Sequence, residues 1–418
     1  MKNTEPNTQP DNCNISTPPL NPGSYPKAWL DKIDNLADYS TSNGLPGAVL
    51  NFGIQGSSIF KKSYGFQRTY NEKVPMPNPE SMSTDTLFDL ASLTKIFSTM
   101  LGFMLLVDRG LISISDKVQK HLPTFTNPDV TLEQLLNHNS GLPATYDFYN
   151  PKKVPASFYS QERSKTIELL PKVPLINKPG TVTVYSDINY MLLGIILEQV
   201  TGKTQDVFLA EEIYNPLQLM HTGYKLLEKG FKPSQFEATE RCGNTRDGFV
   251  SFPNVRTQTL QGEVQDEKAY YSMGQVSGHA GLFSNADDLS VLCQLLLGKG
   301  TYHSFKAFSE ATADLFFETK NIDASYALGL QIPSPSTALI YGTMLPYAGN
   351  SLGHTGWTGN CFLIDFQHQS YAILLNNKRH SPVINVYNET LKFEGNLLPA
   401  SIYGGIMQLF YAGLVIAG

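Results

Sequence analysis

The hydrophobic pattern is densest at residues 96–107, where apolar side chains face every direction and polar ones are scarce. A stretch that is apolar all round predicts a helix buried in the middle of a domain, and Gly110 predicts its end. Ser92 and Lys95 stand at the start of this helix. The pattern therefore predicts a hydroxyl and an amine at the N-terminus of the most buried element.

Short apolar runs near both ends of the chain predict strands. Residues 47–53 and 58–66 flank a turn at residues 53–57, which predicts an antiparallel hairpin. A Pro- and Ser-rich loop is expected to run up to Thr86 and lead into the buried helix. In the last third of the chain, strands are predicted at residues 328–332, 338–341, 361–366 and 371–376.

Helical patterns fill most of the remaining chain. An amphipathic helix is predicted at residues 29–42, and a C-terminal helix at about 400–417 is expected to pack against the sheet, because it is short for a membrane anchor. Residues 223–270 are expected to be irregular. Further helices are predicted at residues 130–138, 163–170, 189–200 and 205–220, and after an N-cap at Ser284 or Asn285.

Strands at both ends around a mostly helical middle predict an α+β fold. Its antiparallel sheet is formed by the N- and C-terminal segments, flanked by helices, with a mostly helical region inserted. We expect one domain from residue 26 to residue 418, with the sheet part at about 26–85 and 320–418 and the helical part at about 86–319. Residues 1–25, rich in Asn, Thr, Pro and Ser, are expected to be a disordered leader.

Composition narrows the class of protein. The 418 residues are 41% hydrophobic, which supports a large core, and the net charge of −6 without a basic run argues against nucleic acid as a partner. The four cysteines are far apart, so no zinc site or disulfide framework is predicted, and three of them are expected to be buried free thiols. No stretch is interpreted as a membrane span or a signal peptide, so the protein is either cytoplasmic or has lost a signal.

The pair Ser92 and Lys95 is the candidate chemistry. Residues three apart share one helix face, burial lowers the pKa of a lysine, and a helix start favours a developing oxyanion. This combination is the serine-plus-lysine way of activating a nucleophile. The spacing alone is weak evidence, because a capping serine has it too, and Ser58 and Lys61 share it on a predicted strand, where such positions face opposite sides.

Three elements in chain order strengthen that interpretation: Ser92 with Lys95, Tyr185-Ser186-Asp187, and His354-Thr355-Gly356. They resemble the S-x-x-K motif, the Y-x-N or S-x-N motif and the K-T-G motif of the serine β-lactamase and penicillin-binding-protein superfamily. The resemblance covers nearly the whole chain from about residue 27. Residues 244–248, 264–269, 277–284 and 353–359 are similar to the penicillin-binding protein 4B branch, described as D-alanyl-D-alanine carboxypeptidases.

The resemblance implies a role for each matching residue. Ser92 would attack a carbonyl, Lys95 and Tyr185 would form the proton-transfer pair, and the N–H groups of Ser92 and Trp357 would form the oxyanion hole. No metal and no cofactor are implied. The substrate-binding or oxyanion residues are expected to be Asp187, His354, Thr355, Gly356, Trp357 and His279, the last of which is equally well explained as a loop-stabilising residue.

Two positions depart from the family pattern. His354 stands where the family usually has lysine, and a neutral histidine provides no fixed positive charge at pH 7. Asp187 stands where the family usually has asparagine; a carboxylate cannot donate to a substrate carbonyl, although it could hold Lys95 in place. These departures put efficient β-lactam hydrolysis in doubt. A tyrosine between two cations can have a lowered pKa, so both a phenolate and a shared proton are open for Tyr185.

The sequence thus predicts a serine hydrolase that forms an acyl-enzyme on Ser92. The favoured activity is that of a D-alanyl-D-alanine carboxypeptidase on peptidoglycan stem peptides, with β-lactams as candidate covalent ligands and a periplasmic or cell-envelope location if a signal was removed. An esterase of the same fold acting on a small acyl substrate is the first alternative. A catalytically idle binding or scaffold protein is the second.

Overall fold

An eight-stranded antiparallel sheet joins the two ends of the chain in the computed structural model, which describes residues 21–343, 351–387 and 390–417. The strand order is β4-β5-β6-β7-β8-β1-β2-β3. This confirms the predicted sheet built from N- and C-terminal segments. The strands are β1 (Gly47–Ile54), β2 (Ser57–Asn71), β3 (Val74–Ser81), β4 (Tyr326–Ala327), β5 (Leu330–Gln331), β6 (Ser351–Thr355), β7 (Cys361–Asp365) and β8 (Ser370–Asn376).

Helices cover both faces of the sheet. Those of eight residues or more are α1 (Lys27–Ser42), α2 (Leu101–Asp108), α3 (Asp187–Thr201), α4 (Ala286–Leu297), α5 (Glu310–Glu318) and α6 (Gly404–Ala417). Shorter α-helices are Val118–His121, Leu132–Leu136, Arg163–Leu169, Gln205–Leu209, Ala338–Tyr341 and Pro399–Ile402, and short strand pairs form at Ala238–Glu240 with Leu260–Gln261, at Thr301–Tyr302 with Phe305–Lys306, and at Val383–Tyr387 with Thr390–Phe393.

Successive residues of the central strands enter two different cores. On β8, Leu374 joins the apolar cluster beneath α1 and α6, whereas Ile373 and Leu375 join the larger cluster beneath the helices of the middle region. Alternate side chains of a strand point to opposite faces, so a sheet covered on both sides needs continuous apolar strands. The C-terminal helix packs as predicted, with the Phe410 ring 4.8 Å from that of Phe52.

The central helix is buried as its apolar pattern predicts. Its helical stretch runs from Ala91 to Asp108 and, contrary to our expectation, has the length and hydropathy of a membrane span. It is 83% buried within the fold, which is the position of a core helix. Gly102 lets α3 approach closely, because a Cβ at this position would lie 2.3 Å from a methyl carbon of Leu197.

Two sequence predictions about this sheet were wrong. The predicted strand at 338–341 is the helix Ala338–Tyr341, since an apolar run of four residues fits either period and here packs against α6. The predicted loop before Thr86 contains β3, which carries three prolines at alternate positions. β3 is an edge strand, where proline is tolerated because alternate N–H groups need no partner.

The structure also tests the predictions for the start of the chain and for the cysteines. Most of the predicted leader, residues 1–25, lies outside the described residues, but its last part is folded: Tyr25 is 7% exposed and donates a hydrogen bond to the Phe410 carbonyl at 3.0 Å. Cys242, Cys293 and Cys361 are buried and free, as predicted. Cys13 lies outside the described residues.

Candidate active site

The candidate nucleophile lies on a strained turn at the end of a short strand. Residues Phe88–Asp89 pair with Leu282–Ser284, and the chain then turns into a 3₁₀ segment that carries Ser92. Ala91, directly before Ser92, has a φ of +46°, and its N–H donates to Asp89 Oδ1 at 2.9 Å. A left-handed backbone at a residue other than glycine costs energy and is common at functional sites.

Lys95 reaches Ser92 from the first turn of a π-helix, Lys95–Met100. Its Nζ lies 3.1 Å from Ser92 Oγ, 2.8 Å from Asp187 Oδ1 and 3.2 Å from the His279 carbonyl oxygen. The side chain is fully buried. Burial lowers the pKa of Lys95, while the charge of Asp187 acts in the opposite direction. The structure therefore brings together the hydroxyl and the amine, with the carboxylate as a counter-ion.

Tyr185 directly precedes α3 and faces the same two side chains. Ser186 is the N-cap of α3, accepting the Asn189 N–H at 3.3 Å, which fixes the backbone beside Tyr185. Lys95 Nζ lies 4.9 Å from the Tyr185 ring centre. Burial and the nearby Asp187 charge raise the pKa of Tyr185 well above its usual value, so the phenol is protonated at neutral pH. The phenolate form of Tyr185, which the sequence left open, is therefore not favoured.

His138 positions the Tyr185 segment. Its backbone has a φ of +58°, and its carbonyl accepts the Val184 N–H at 2.8 Å. Its Nδ1 accepts the Ser186 N–H at 3.0 Å, and its ring lies 4.6 Å from that of Tyr185. Burial lowers the pKa of His138 well below its usual value, which keeps the ring neutral. His138 therefore acts as a structural support between two chain segments.

His354 lies on β6 behind the cleft wall, with its ring 5.8 Å from that of Tyr185, and it is neutral. It is 1% exposed, its Nδ1–H donates to the Thr355 carbonyl at 2.8 Å, and its Nε2 has no hydrogen-bond partner among the described residues. Burial, helped by the charge of Lys95, lowers the pKa of His354 to about 3. The site therefore has no positive charge at the position where the family usually has lysine.

The loop after β6 is tied to the nucleophile turn. Thr358 Oγ1 and Asn360 Nδ2 both donate to the Asp89 carbonyl, at 2.7 and 2.8 Å. A Cβ on Gly356 would lie 2.7 Å from the Leu90 carbonyl oxygen, so only glycine allows this approach. Trp357, in the same loop, is 46% exposed at the cleft. This arrangement holds the loop that carries Trp357 against the turn that precedes Ser92, and the oxyanion hole itself stays a prediction.

A chain of alternating charges lies behind Lys95. Lys268 Nζ lies 3.2 Å from Asp187 Oδ2 and 3.4 Å from Asp266 Oδ2. His279, which is 1% exposed, contacts Asp266 Oδ1 through Nε2 at 2.8 Å and Ser277 Oγ through Nδ1 at 2.8 Å. The structure places His279 in this network rather than on the cleft wall. Asp187, Asp266 and His279 are close enough to ligate a metal, but Lys95 and Lys268 already pair with the two carboxylates.

The cleft has a volume of about 470 Å³ and brings together most of the predicted residues: Ser92, Tyr185, Thr355, Gly356 and Trp357 line it. Lys378 and Arg379 also line it, and our sequence analysis missed both. The available signal was two adjacent cations directly after an apolar strand. Asp266 and Lys268 belong to residues 264–269, whose similarity to the penicillin-binding protein 4B branch does not by itself indicate a role for either side chain.

The cleft combines a serine hydroxyl, a buried lysine and a phenol. This arrangement is typical of serine hydrolases that work through an acyl-enzyme. The chain belongs to the β-lactamase family, whose family model, described as Beta-lactamase, matches residues 33–397. This membership agrees with the eight-stranded antiparallel sheet flanked by helices.

Known relatives extend over almost the whole chain. It is 46% identical over 396 residues to an N-acetylmuramyl-L-alanine amidase of Bacillus subtilis (strain 168), covering 92% of this chain and 89% of the relative. It is 38% identical over 420 residues to an Escherichia coli (strain K12) protein with the provisional name D-alanyl-D-alanine carboxypeptidase, covering 96% of both. A penicillin-binding protein homologue from Caulobacter crescentus has the same fold, with a TM-score of 0.66, 20% identity, and coverage of 92% and 97%.

Proposed function

We propose that this protein hydrolyses an amide bond of peptidoglycan through an acyl-enzyme on Ser92. The observation that carries the proposal is the 3.1 Å contact between Lys95 Nζ and Ser92 Oγ, beside Tyr185 and open to a cleft. Peptidoglycan lies outside the cytoplasmic membrane, so the proposal includes a location in the cell envelope.

The geometry supports a two-step mechanism. Burial lowers the pKa of Lys95 and so makes its neutral form accessible. In that form Lys95 accepts the Ser92 proton as Oγ attacks the carbonyl carbon, and the N–H groups of Ser92 and Trp357 stabilise the oxyanion, each by about 10²- to 10³-fold in rate. The protonated phenol of Tyr185 donates a proton to the leaving nitrogen and regains one from Lys95. Water then attacks the ester carbonyl of the acyl-enzyme, which releases the acid and restores the Ser92 hydroxyl.

Two bonds are candidates for cleavage. We propose the bond between the muramyl lactyl group and L-alanine, because the 46% identical relative is named as an N-acetylmuramyl-L-alanine amidase. The second candidate is the D-alanyl-D-alanine bond, which the name of the 38% identical relative supports. Asp187, where the family usually has asparagine, makes β-lactams candidate covalent probes rather than good substrates.

Mass analysis of a single muropeptide separates these activities. N-acetylmuramyl pentapeptide is incubated with the wild-type protein and with Ser92→Ala, and the products are separated by liquid chromatography. Amidase activity yields free N-acetylmuramic acid and an intact pentapeptide, whereas carboxypeptidase activity yields D-alanine and the muramyl tetrapeptide. Both products must disappear with Ser92→Ala. The same incubation is repeated with a longer glycan strand as the substrate. If neither substrate is cleaved, the proposal is refuted and a binding protein is favoured.

A further inference from the structure

Two cationic side chains line the cleft that contains Ser92 and play no part in the mechanism above. Arg379 is 7% exposed and Lys378 is half-buried; both line the cleft that contains Ser92. Lys378 Nζ donates to the Ser401 carbonyl and the Tyr403 hydroxyl, both at 2.9 Å. Arg379 Nε donates to the Trp357 carbonyl at 3.0 Å, and its guanidinium stacks on the Trp357 ring at 3.7 Å.

Neither cation has a carboxylate partner within ion-pair distance among residues 21–343, 351–387 and 390–417. Arg379 Nη1 is buried and has no hydrogen-bond partner in the same part of the chain. The charge of Glu240 acts on Arg379, but Glu240 pairs with Arg246 at 3.1 Å. Burial therefore lowers the pKa of Lys378 to about 7 and that of Arg379 to about 10. A buried cation without a counter-ion is costly unless an anion binds beside it.

The turn that carries these cations is held rigidly. Asn377 Nδ2 donates to the Gln67 carbonyl at 3.0 Å, and His380 Nε2 accepts the N–H groups of Thr69 and Tyr70 at 3.0 and 3.1 Å. Ser381 Oγ donates to the Lys378 carbonyl at 2.7 Å. Such support from both sides fixes the side chains before a ligand arrives, which reduces the entropic cost of binding.

We propose that Lys378 and Arg379 form a subsite that binds a carboxylate of the substrate, in place of the charge that His354 does not provide. Arginine binds carboxylates through two parallel N–H bonds, and Arg379 lines the cleft with an Nη1 that has no hydrogen-bond partner among the described residues. Leu339 and Ile402, exposed apolar side chains at the rim of the same cleft, favour an anion attached to an apolar group. The inference rests on the proposed function, because it names a substrate class for the same cleft.

The test compares substrates that differ only in one charge. For the acyl side, 4-nitrophenyl hydrogen glutarate is compared with the 4-nitrophenyl ester of glutaric acid monoamide. For the leaving-group side, 3-acetoxybenzoate is compared with 3-acetoxybenzamide. We expect the wild-type protein to prefer the acid in at least one pair by about tenfold in kcat/KM. Arg379→Gln should abolish this preference, Arg379→Lys should restore part of it, and Lys27→Met, which removes an exposed charge on α1, should leave it unchanged.

Each outcome decides the question. If Arg379→Gln slows the acid and the amide equally, Arg379 only supports the Trp357 loop and the proposal is wrong. Equal rates for the acid and the amide of both pairs in the wild-type protein would also overturn it. Calorimetry with 3-acetoxybenzoate and hydrogen glutarate esters in the Ser92→Ala background measures binding without turnover. If the Ser92→Ala protein binds the acids more tightly than the amides, the subsite is supported even if the proposed hydrolysis fails. If it binds acids and amides equally, the subsite is refuted.

Discussion

The ion pair between Lys95 and Asp187 provides the sharpest test of the electrostatics. Asp187→Asn removes the charge but keeps the side-chain volume, and it creates the residue that the family usually has. The two charged atoms are 2.8 Å apart, which at an effective dielectric constant of about 20 corresponds to an attraction of about 6 kcal/mol. The variant also avoids the several kcal/mol needed to desolvate the carboxylate, so we expect a net loss of about 3 kcal/mol in unfolding free energy.

The pH dependence follows from the sign of the pKa shift. Burial alone would raise the pKa of Asp187, but the charges of Lys95 and Lys268 hold it below the usual value of 3.8. The ionised carboxylate therefore stabilises the fold fully above that value, and this contribution is lost as the pH falls through the lower pKa of the folded state. We expect the stability difference between the wild-type protein and Asp187→Asn to be largest near pH 7 and to shrink in acid.

Denaturant unfolding and kinetics measure the two consequences. Unfolding in urea at several pH values provides the stability difference, and Asp38→Asn, an exposed change on α1, is the control expected to stay within about 0.5 kcal/mol. Loss of the Asp187 charge is expected to lower the pKa of Lys95 further. Because Lys95 must be neutral to accept the Ser92 proton, the acid limb of the plot of kcat/KM against pH should move to lower pH. If Asp187→Asn matches Asp38→Asn in stability and leaves the limb in place, Asp187 does not hold Lys95.

Three further predictions test the rest of the site. Tyr185→Phe should lower kcat by about 10²- to 10⁴-fold with little change in KM, because the phenol is the proton donor; an unchanged kcat would exclude that role. Gly359→Ala should lower the unfolding free energy by more than about 2 kcal/mol, since φ is +137° and a Cβ would lie 2.1 Å from Asn376 Oδ1, whereas Gly110→Ala, with open space around it, should cost about 1 kcal/mol. In a Cys13→Ser variant the other three thiols should react with a thiol reagent only after unfolding, because all three are buried and burial raises the pKa of Cys242 to about 11; fast labelling of the folded protein would contradict their burial.

Much of the fold was predictable because its signals are local. The all-round apolar pattern at residues 96–107 is enough to predict a core helix, and the turn at 53–57 is enough to predict the hairpin. The edge strand β3 was missed because proline is unfavourable in a strand unless that strand lies at the edge of a sheet, and the sequence does not show which strands do. The helix Ala338–Tyr341 was missed because four apolar residues carry no clear period.

The site was predictable only in part, because some of its properties depend on contacts between segments that are distant in the sequence. Motif spacing suggested that Asp187 could hold Lys95, and the structure has that contact at 2.8 Å. The protonated phenol of Tyr185 and the neutral ring of His354 follow from burial by distant segments, which a motif does not report. The cations at Lys378 and Arg379 lie nearly 290 positions from Ser92 in the sequence, and only the folded chain brings them into the same cleft.

The most direct test of the account is the mass of the intact protein after reaction with a fluorophosphonate and, separately, with a fluorescent penicillin. We predict one covalent adduct on the wild-type protein with at least one probe, located on Ser92 by peptide mapping and absent in Ser92→Ala. Ser58→Ala is the matched control, because Ser58 and Lys61 have the same spacing on β2, and it should keep the adduct. An adduct that survives in Ser92→Ala, or no adduct with either probe, would contradict Ser92 as the nucleophile.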